Sequence, residues 1–351
     1  MSPLVFDATA DAIERVQLRD GSIPWNRGGH LDPWNMVEAA MGLDAARRHE
    51  AARAAYRWLI ARQRADGAWA ASYRDGLIED STLDANFCSY LAAGAWHHYL
   101  ATGDVDFLAE CWPAVDRSMG FVLRLQLPSG AIAWARDASY RPWRAALLTG
   151  SACTYLSLGC ALEAAAILGH ERLEWELARS ALGEAVATRT GPFEPRDRFS
   201  MDWYYPALGG VLGGAAARAA LAERWDEFVI EGRGARCVSD RPWVTTGETC
   251  ELVLALEAAG AGAEAAALFD WVQHLRCDSG DYWTGATWPE DVVWPRETTT
   301  WGAGSVLLAA DALDGTSPTS AFFHATPVRS STRNEPARET SANAPESIAR
   351  R

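Results

Sequence analysis

The sequence predicts an all-α protein, and three observations carry that expectation. Apolar residues recur three and four positions apart over most of the chain, the period of an amphipathic helix. Runs of alternating apolar and polar residues long enough for a strand are nearly absent. A pattern of helix end, glycine turn and tryptophan also recurs, as it does in folds built from stacked helical units.

The first long helical stretch is 32–63, "DPWNMVEAAMGLDAARRHEAARAAYRWLIARQ", with an interruption near Gly42. Segments 82–104, 107–126, 149–169 and 171–189 keep the same period, and so do 248–260, 263–276 and 298–315. The repeat joins three of the helix ends: "WLIARQRADGAWAASY" (58–73), "FVLRLQLPSGAIAWARD" (121–137) and "WVQHLRCDSGDYWTGAT" (271–287). In each, a tryptophan (Trp69, Trp134, Trp283) stands two to four residues beyond the glycine. Residues 316–351, rich in Ser, Thr, Pro, Ala and Arg, offer too little to bury and are expected to be a disordered tail. One domain over about 10–315 is the resulting expectation.

Bulk properties exclude several functions. A net charge of −14 argues against nucleic acid and against anionic membrane surfaces. The chain has no lysine, so all 32 basic residues are arginine. Seven scattered cysteines with no CxxC pair fit small buried hydrophobes in a reducing cytosol, not a disulfide frame or a zinc site. No metal or cofactor is expected. The N-terminus lacks a basic region followed by an apolar core, and no run approaches roughly 18 uncharged apolar residues. A cytoplasmic protein without membrane insertion is therefore expected. Gly209, Gly210, Gly213 and Gly214 are not a phosphate loop, because no strand precedes them and no lysine exists to reach a phosphate.

The tryptophan-ended loops and the acids near helix starts resemble the (α/α)6 toroids of the six-hairpin glycosidase superfamily. Segment 81–134 carries the likeness best: a helix ends in "TGD", an acid-flanked "FL" follows, and "WPAV" opens the next helix, as in glucoamylase-like and trehalase-like segments. "IPWNRGGHLDPWNMVEAAM" (23–41) and "RCVSDRPWVTTGETCELVLAL" (236–256) also look like uncharacterised actinobacterial proteins labelled prenyltransferase-like. The resemblance covers most of 23–315. It implies a toroid and a carbohydrate-active enzyme, a glycoside hydrolase first, acting on a small-molecule saccharide. A terpene cyclase or prenyltransferase, or a non-catalytic toroid binding sugar or protein, are the alternatives. Against the cyclase, the DxDD acid motif has no match, "EDSTLD" (79–84) differing in spacing; Cys237 and Cys250 lack a nearby His for a prenyltransferase zinc.

The toroid likeness places a pocket at one end, among the loops and the starts of the inner helices. Hydrolysis there needs two carboxyls, one protonated and one ionised, and burial beside aromatics raises a carboxyl toward the first role. Four acids compete: Asp84, Asp202, Glu248 and Glu297. Trp25, His30, Asp32, Trp34, Glu38, Asp80, Tyr204, Tyr205, Arg241, Trp243 and Trp283 are the expected sugar contacts, since sugars offer apolar C–H faces to aromatics and hydroxyls to polar groups. Each acid also has a plainer reading. Asp32 before Pro33 suits a helix cap, Asp80 suits a cap for the helix after it, and Asp84 stands one turn inside that helix. Glu248 and Glu297 open helices, where the macrodipole favours an anion, and Glu251 follows on the face of Glu248. His97 and His98 read as ordinary helix residues. "FSMDWYYPALGGVLGG" (199–214) is expected to start an inner helix, with Pro206 in its first turn.

Overall fold

The structure, a computed structural model, describes residues 3–137, 139 and 141–324, and counts and absences refer to those residues. The chain alternates outer and inner helices. The outer α1 (Pro3–Val16) leads to the inner α2 (Pro33–Ala45), and the outer α3 (His49–Arg62) to a short α4 (Ala85–Ser89) continued by the inner α5 (Leu91–Thr102). The outer α6 (Val105–Leu123) precedes the inner α7 (Leu148–Ile167), and the outer α8 (Leu173–Thr188) precedes the inner α9 (Ser200–Leu208). The outer α10 (Gly214–Glu223) and a short α11 (Trp225–Phe228) lead to the inner α12 (Thr246–Ala259). The outer α13 (Gly262–Val272) and the inner α14 (Thr300–Asp314) complete the set.

Each inner helix packs on the next: α2 on α5, then α7, α9, α12 and α14, which returns to α2. Six outer helices back this closed ring, so the fold is an (α/α)6 toroid with one continuous apolar core. Closure depends on two glycines. A Cβ on Gly42 would lie 2.7 Å from Cα of Gly304, and one on Gly304 would lie 2.9 Å from the Glu38 carbonyl oxygen. The first and last inner helices therefore meet backbone to backbone, which a side chain at either position would prevent.

The two ends of the ring differ. Chain segments entering the inner helices are long and carry four antiparallel strand pairs: β1 (Ser72–Arg74) with β2 (Leu77–Asp80), and β3 (Leu83–Asp84) with β4 (Ala135–Arg136). The other two are β5 (Val229–Ile230) with β6 (Gly234–Ala235), and β7 (Trp243–Thr245) with β8 (Gly285–Thr287). At the opposite end the connections are short, as at 46–48, 103–104 and 260–261.

The sequence repeat is a staple between outer helices, and it has a fourth copy at 17–25. Gln17, Gln63 and Gln126 each follow the end of an outer helix and donate through Nε2 to two carbonyls. One belongs to the glycine four residues on (Gly21, Gly67, Gly130), and the other to the next outer helix (Ala51, Ala114, Ala178). These glycines, and Gly280 in the copy after α13, adopt φ between +90 and +92°. A Cβ there would meet a neighbouring helix carbonyl oxygen at 2.2–2.6 Å, so only glycine allows the approach. The last copy joins α13 to α1, where the Thr9 hydroxyl donates to the Gly280 carbonyl at 3.0 Å, closing the outer ring.

Several expectations need correction. The break in 32–63 falls at 46–48, with Gly42 inside α2. Helical structure begins at Pro3, before the expected boundary at residue 10. Residues 316–324, placed in the expected tail, belong to the folded part: Phe322 and Phe323 are buried, and Phe322 meets His97 edge-on at 5.1 Å. The rest of the expected tail, 325–351, lies outside the described residues. Pro206 occupies the second turn of α9, not the first. Helix α7 is long and apolar enough to cross a membrane by length and composition alone, but it carries Glu163 and is an inner helix against α5, α8 and α9.

Candidate active site

The N-termini of all six inner helices open onto the loop-rich end, so their unpaired N–H groups face one mouth. Asp32 caps α2: one carboxylate oxygen accepts the Asn35 N–H at 2.9 Å and the other accepts the Asn35 side-chain amide. Asp84 caps α4 and is not inside a helix, because Leu83–Asp84 pairs with Ala135–Arg136 as a strand first. It accepts the N–H groups of Asn86 (2.8 Å) and Phe87 (3.2 Å) and, on its other oxygen, the Trp134 indole N–H at 2.6 Å. Asp202, in the first turn of α9, accepts the N–H of Thr149 at 3.2 Å and its hydroxyl, tying α9 to the start of α7. Glu248, in the first turn of α12, is 5% exposed, and its Oε2 has no hydrogen-bond partner. Glu297 precedes α14 and does not open it; it accepts the Trp25 indole N–H (3.3 Å) and the Asn26 amide (3.1 Å).

Beneath the mouth, a buried network crosses the ring axis. Glu38 of α2 accepts the Tyr90 hydroxyl, and Glu251 of α12 accepts those of Tyr204 and Tyr205 and the Trp301 indole N–H. Trp34 stacks on Tyr90 at 5.3 Å, stands edge-on to Trp301 and points its N–H at Cys153 of α7. All six inner helices thus contribute to this floor. Trp25, stacked between His30 and Trp301, continues it up to the rim.

The hydrogen bonds to these acids come from neutral donors, the His30 imidazole lies 3.8 Å from Asp32, and burial is the largest influence on their protonation. It raises Asp84 to about 6, against the pull of its three donors and with Asp32 adding to the rise. Burial likewise raises Asp32 and Asp202. On the floor, burial lifts Glu38 to about 7, and burial plus the nearby Glu38 lift Glu251 well above the carboxylate range. The mouth therefore holds one carboxyl, Asp84, poised to give up a proton near pH 6, with Asp32 and Asp202 also raised, beside Glu248, whose buried Oε2 makes no hydrogen bond.

The structure gathers Trp25, His30, Asp32, Trp34, Glu38, Tyr204 and Tyr205 with the four catalytic candidates around this mouth and floor. Asp80 is exposed on β2 and only caps the Thr82 N–H, and Arg241 is exposed in the turn before β7. Trp243 donates to the Trp294 carbonyl at 2.6 Å, and Trp283 is half-buried with its carbonyl accepting the Thr246 hydroxyl; both brace loops and helices. Many of the 17 tryptophans serve the core: Trp203 of the 199–214 stretch turns outward to stack on Phe228, and Trp58, Trp69, Trp112 and Trp175 are also buried. Glu251 was legible only as a neighbour of Glu248, although a Glu within "TCELVLALE" is a buried-acid signal.

Among the described residues, one His/Asp group has metal-like spacing: Asp44, His49 and His98, at the short-loop end. Both imidazole Nδ1 atoms meet the Asp44 carboxylate at 2.9–3.0 Å, the geometry of two hydrogen bonds. His98 is thus not an ordinary helix residue.

No protein-family model matches the chain. It is 48% identical over 323 residues to the MMP endo-(1,4)-3-O-methyl-alpha-D-mannosidase of Mycolicibacterium hassiacum, covering 92% of this chain and 90% of that protein. Its fold is similar to a glycosidase solved with glucose (TM-score 0.70, 14% identity, 89% of this chain and 96% of that one). It is also similar to the GH63 mannosylglycerate hydrolase of Thermus thermophilus solved with Tris and D-glycerate (TM-score 0.68, 12% identity, 86% and 99%). These likenesses correct the prenyltransferase-like reading, which they do not support; the many acids of the mouth also disagree with it, since a polyene pocket is apolar.

Proposed function

The chain belongs to the glycosidase family of this endo-mannosidase, and on that premise we propose that it cleaves internal α-(1,4) bonds in a 3-O-methylated mannose polymer. That it is a glycoside hydrolase acting on a saccharide follows from the family; bond, substrate and residue roles are the proposal.

The observation that carries the proposed mechanism is the placement of acids across the ring. Asp32 and Asp84 cap the neighbouring helices α2 and α4, and Glu248 stands on α12, across the ring from α4–α5. The Asp32–Asp84 pair supplies the general acid, with the proton on Asp84. Burial and a like-charged neighbour keep that carboxyl protonated up to about pH 6. Glu248 acts as the base, its partner-free Oε2 receiving a proton from the attacking water. Acid and base on opposite walls favour the wider carboxyl spacing of an inverting enzyme, which leaves room for that water. Asp202 and Glu297 hold hydroxyls, and Trp25, His30 and Trp34 offer faces to the ring. Exposed Trp143 and Trp294 on the mouth loops suit a long chain lying across the opening, as internal cleavage requires. All seven cysteines are free and five are buried, which supports an intracellular site of action.

The test is to incubate the protein with α-(1,4)-linked 3-O-methylmannose oligosaccharides and track products by mass spectrometry and proton NMR. Internal cleavage to shorter oligomers, with the β-anomer appearing first, is expected. Release of monosaccharide alone would contradict endo action, the α-anomer first would contradict inversion, and no cleavage would overturn the substrate.

A further inference from the structure

A cavity of about 210 Å³ opens beside Asp84 between α4, the 132–134 segment, the start of α7 and Met201 of α9. Its lining mixes polar residues, Asp84, Asn86, Thr149 and Arg196 among them, with the apolar Phe87, Ile132, Leu147 and Met201. Asn86 Oδ1 and the Ser151 hydroxyl, both of lining residues, are buried without a hydrogen-bond partner. An apolar cavity of about 150 Å³ takes a benzene ring, so this one has room for a six-membered sugar ring and a small substituent.

We propose that this cavity is a sugar subsite in which the apolar lining residues Phe87, Ile132, Leu147 and Met201 select a ring bearing a methyl ether over one bearing a free hydroxyl. The inference rests on the proposed saccharide substrate and names the groups that set its specificity. Hydroxyls of the ring face Asn86, Thr149 and Arg196. A hydroxyl turned to the apolar residues would leave water and find no partner, whereas a methyl ether there buries its carbon against apolar side chains. One methyl in a hydrophobic pocket discriminates by roughly 10- to 200-fold, enough to tell a methylated polymer from a plain one.

The experiment compares binding of 3-O-methylated and unmethylated α-(1,4)-mannose oligosaccharides of equal length by titration calorimetry. It uses the wild-type protein, Met201→Gln, Leu147→Asn and the conservative Met201→Leu. Wild type and Met201→Leu are expected to prefer the methylated ligand at least tenfold. Each polar variant is expected to bring that preference to within about threefold by weakening the methylated ligand alone. No preference in the wild type, or an undiminished one in both polar variants, would overturn the inference. Binding preference without turnover would sink the hydrolytic proposal and leave this one standing; turnover without preference would do the reverse.

Discussion

The two ends of the toroid both bury carboxylates, yet they hold them in opposite ways. At the short-loop end, burial alone would raise Asp44, but the His49 and His98 imidazoles bound to it outweigh burial and hold it below the ordinary carboxylate range. Its neighbour His97 is driven down to about 4 by burial and is neutral. At the mouth and its floor, Asp84, Glu38, Asp32 and Asp202 accept from hydroxyl, amide, indole and backbone groups, the His30 imidazole stands off at 3.8 Å from Asp32, and all rise. A carboxylate satisfied by imidazoles serves structure. Carboxyls left near their titration point serve proton transfer.

The largest expected effect comes from the mouth. Glu248→Gln should lower kcat by about 10²–10⁴-fold, the usual worth of a general base, while thermal unfolding moves little, because the lost oxygen has no partner in the fold. The same amide substitution at the other end should do the converse. Asp44→Asn leaves the buried His98 and the half-buried His49 short of an acceptor and should cost about 3–5 kcal/mol of stability, with kcat per folded molecule unchanged; denaturant unfolding beside turnover reads both.

A smaller effect sharpens the contrast through pH. Glu38 has a folded pKa of about 7, above its ordinary 4.5. A raised carboxyl stabilises the fold fully below the unfolded value, and that contribution is lost as pH rises through the folded one. Between about pH 4.5 and 7 the wild type should therefore lose on the order of 3 kcal/mol that Glu38→Gln does not, so the two stability profiles should diverge as pH rises. Parallel profiles would place Glu38 with the satisfied acids of the far end.

Much of the toroid was legible because a 3.6-residue apolar period survives any tertiary context, and the glycine–tryptophan turns repeat. The copy at Gln17–Gly21 is hidden in the sequence because its staple appears only when the next outer helix is in place. Asp84 was misplaced because "TLDA" reads as helix, whereas its pairing with Ala135–Arg136 comes from a strand some fifty residues away. Residue types at the mouth were readable from acids beside aromatics. Their division of labour was not: Asp202, Trp203 and Tyr204 are consecutive, yet face the mouth, the outer layer and the floor. The Asp44–His98 pair joins residues 54 apart on two helices, so nothing local announces it.

The most direct test of the contrast between the ends is the pH dependence of kcat/KM on a 3-O-methylated α-(1,4)-mannose oligosaccharide, for the wild type and Asp84→Asn. With the proton on Asp84, wild-type activity should fall about tenfold per unit above roughly pH 6, and the weak residual activity of Asp84→Asn should lack that limb. A falling limb that persists unchanged in Asp84→Asn would contradict the assignment of the mouth acids to proton transfer.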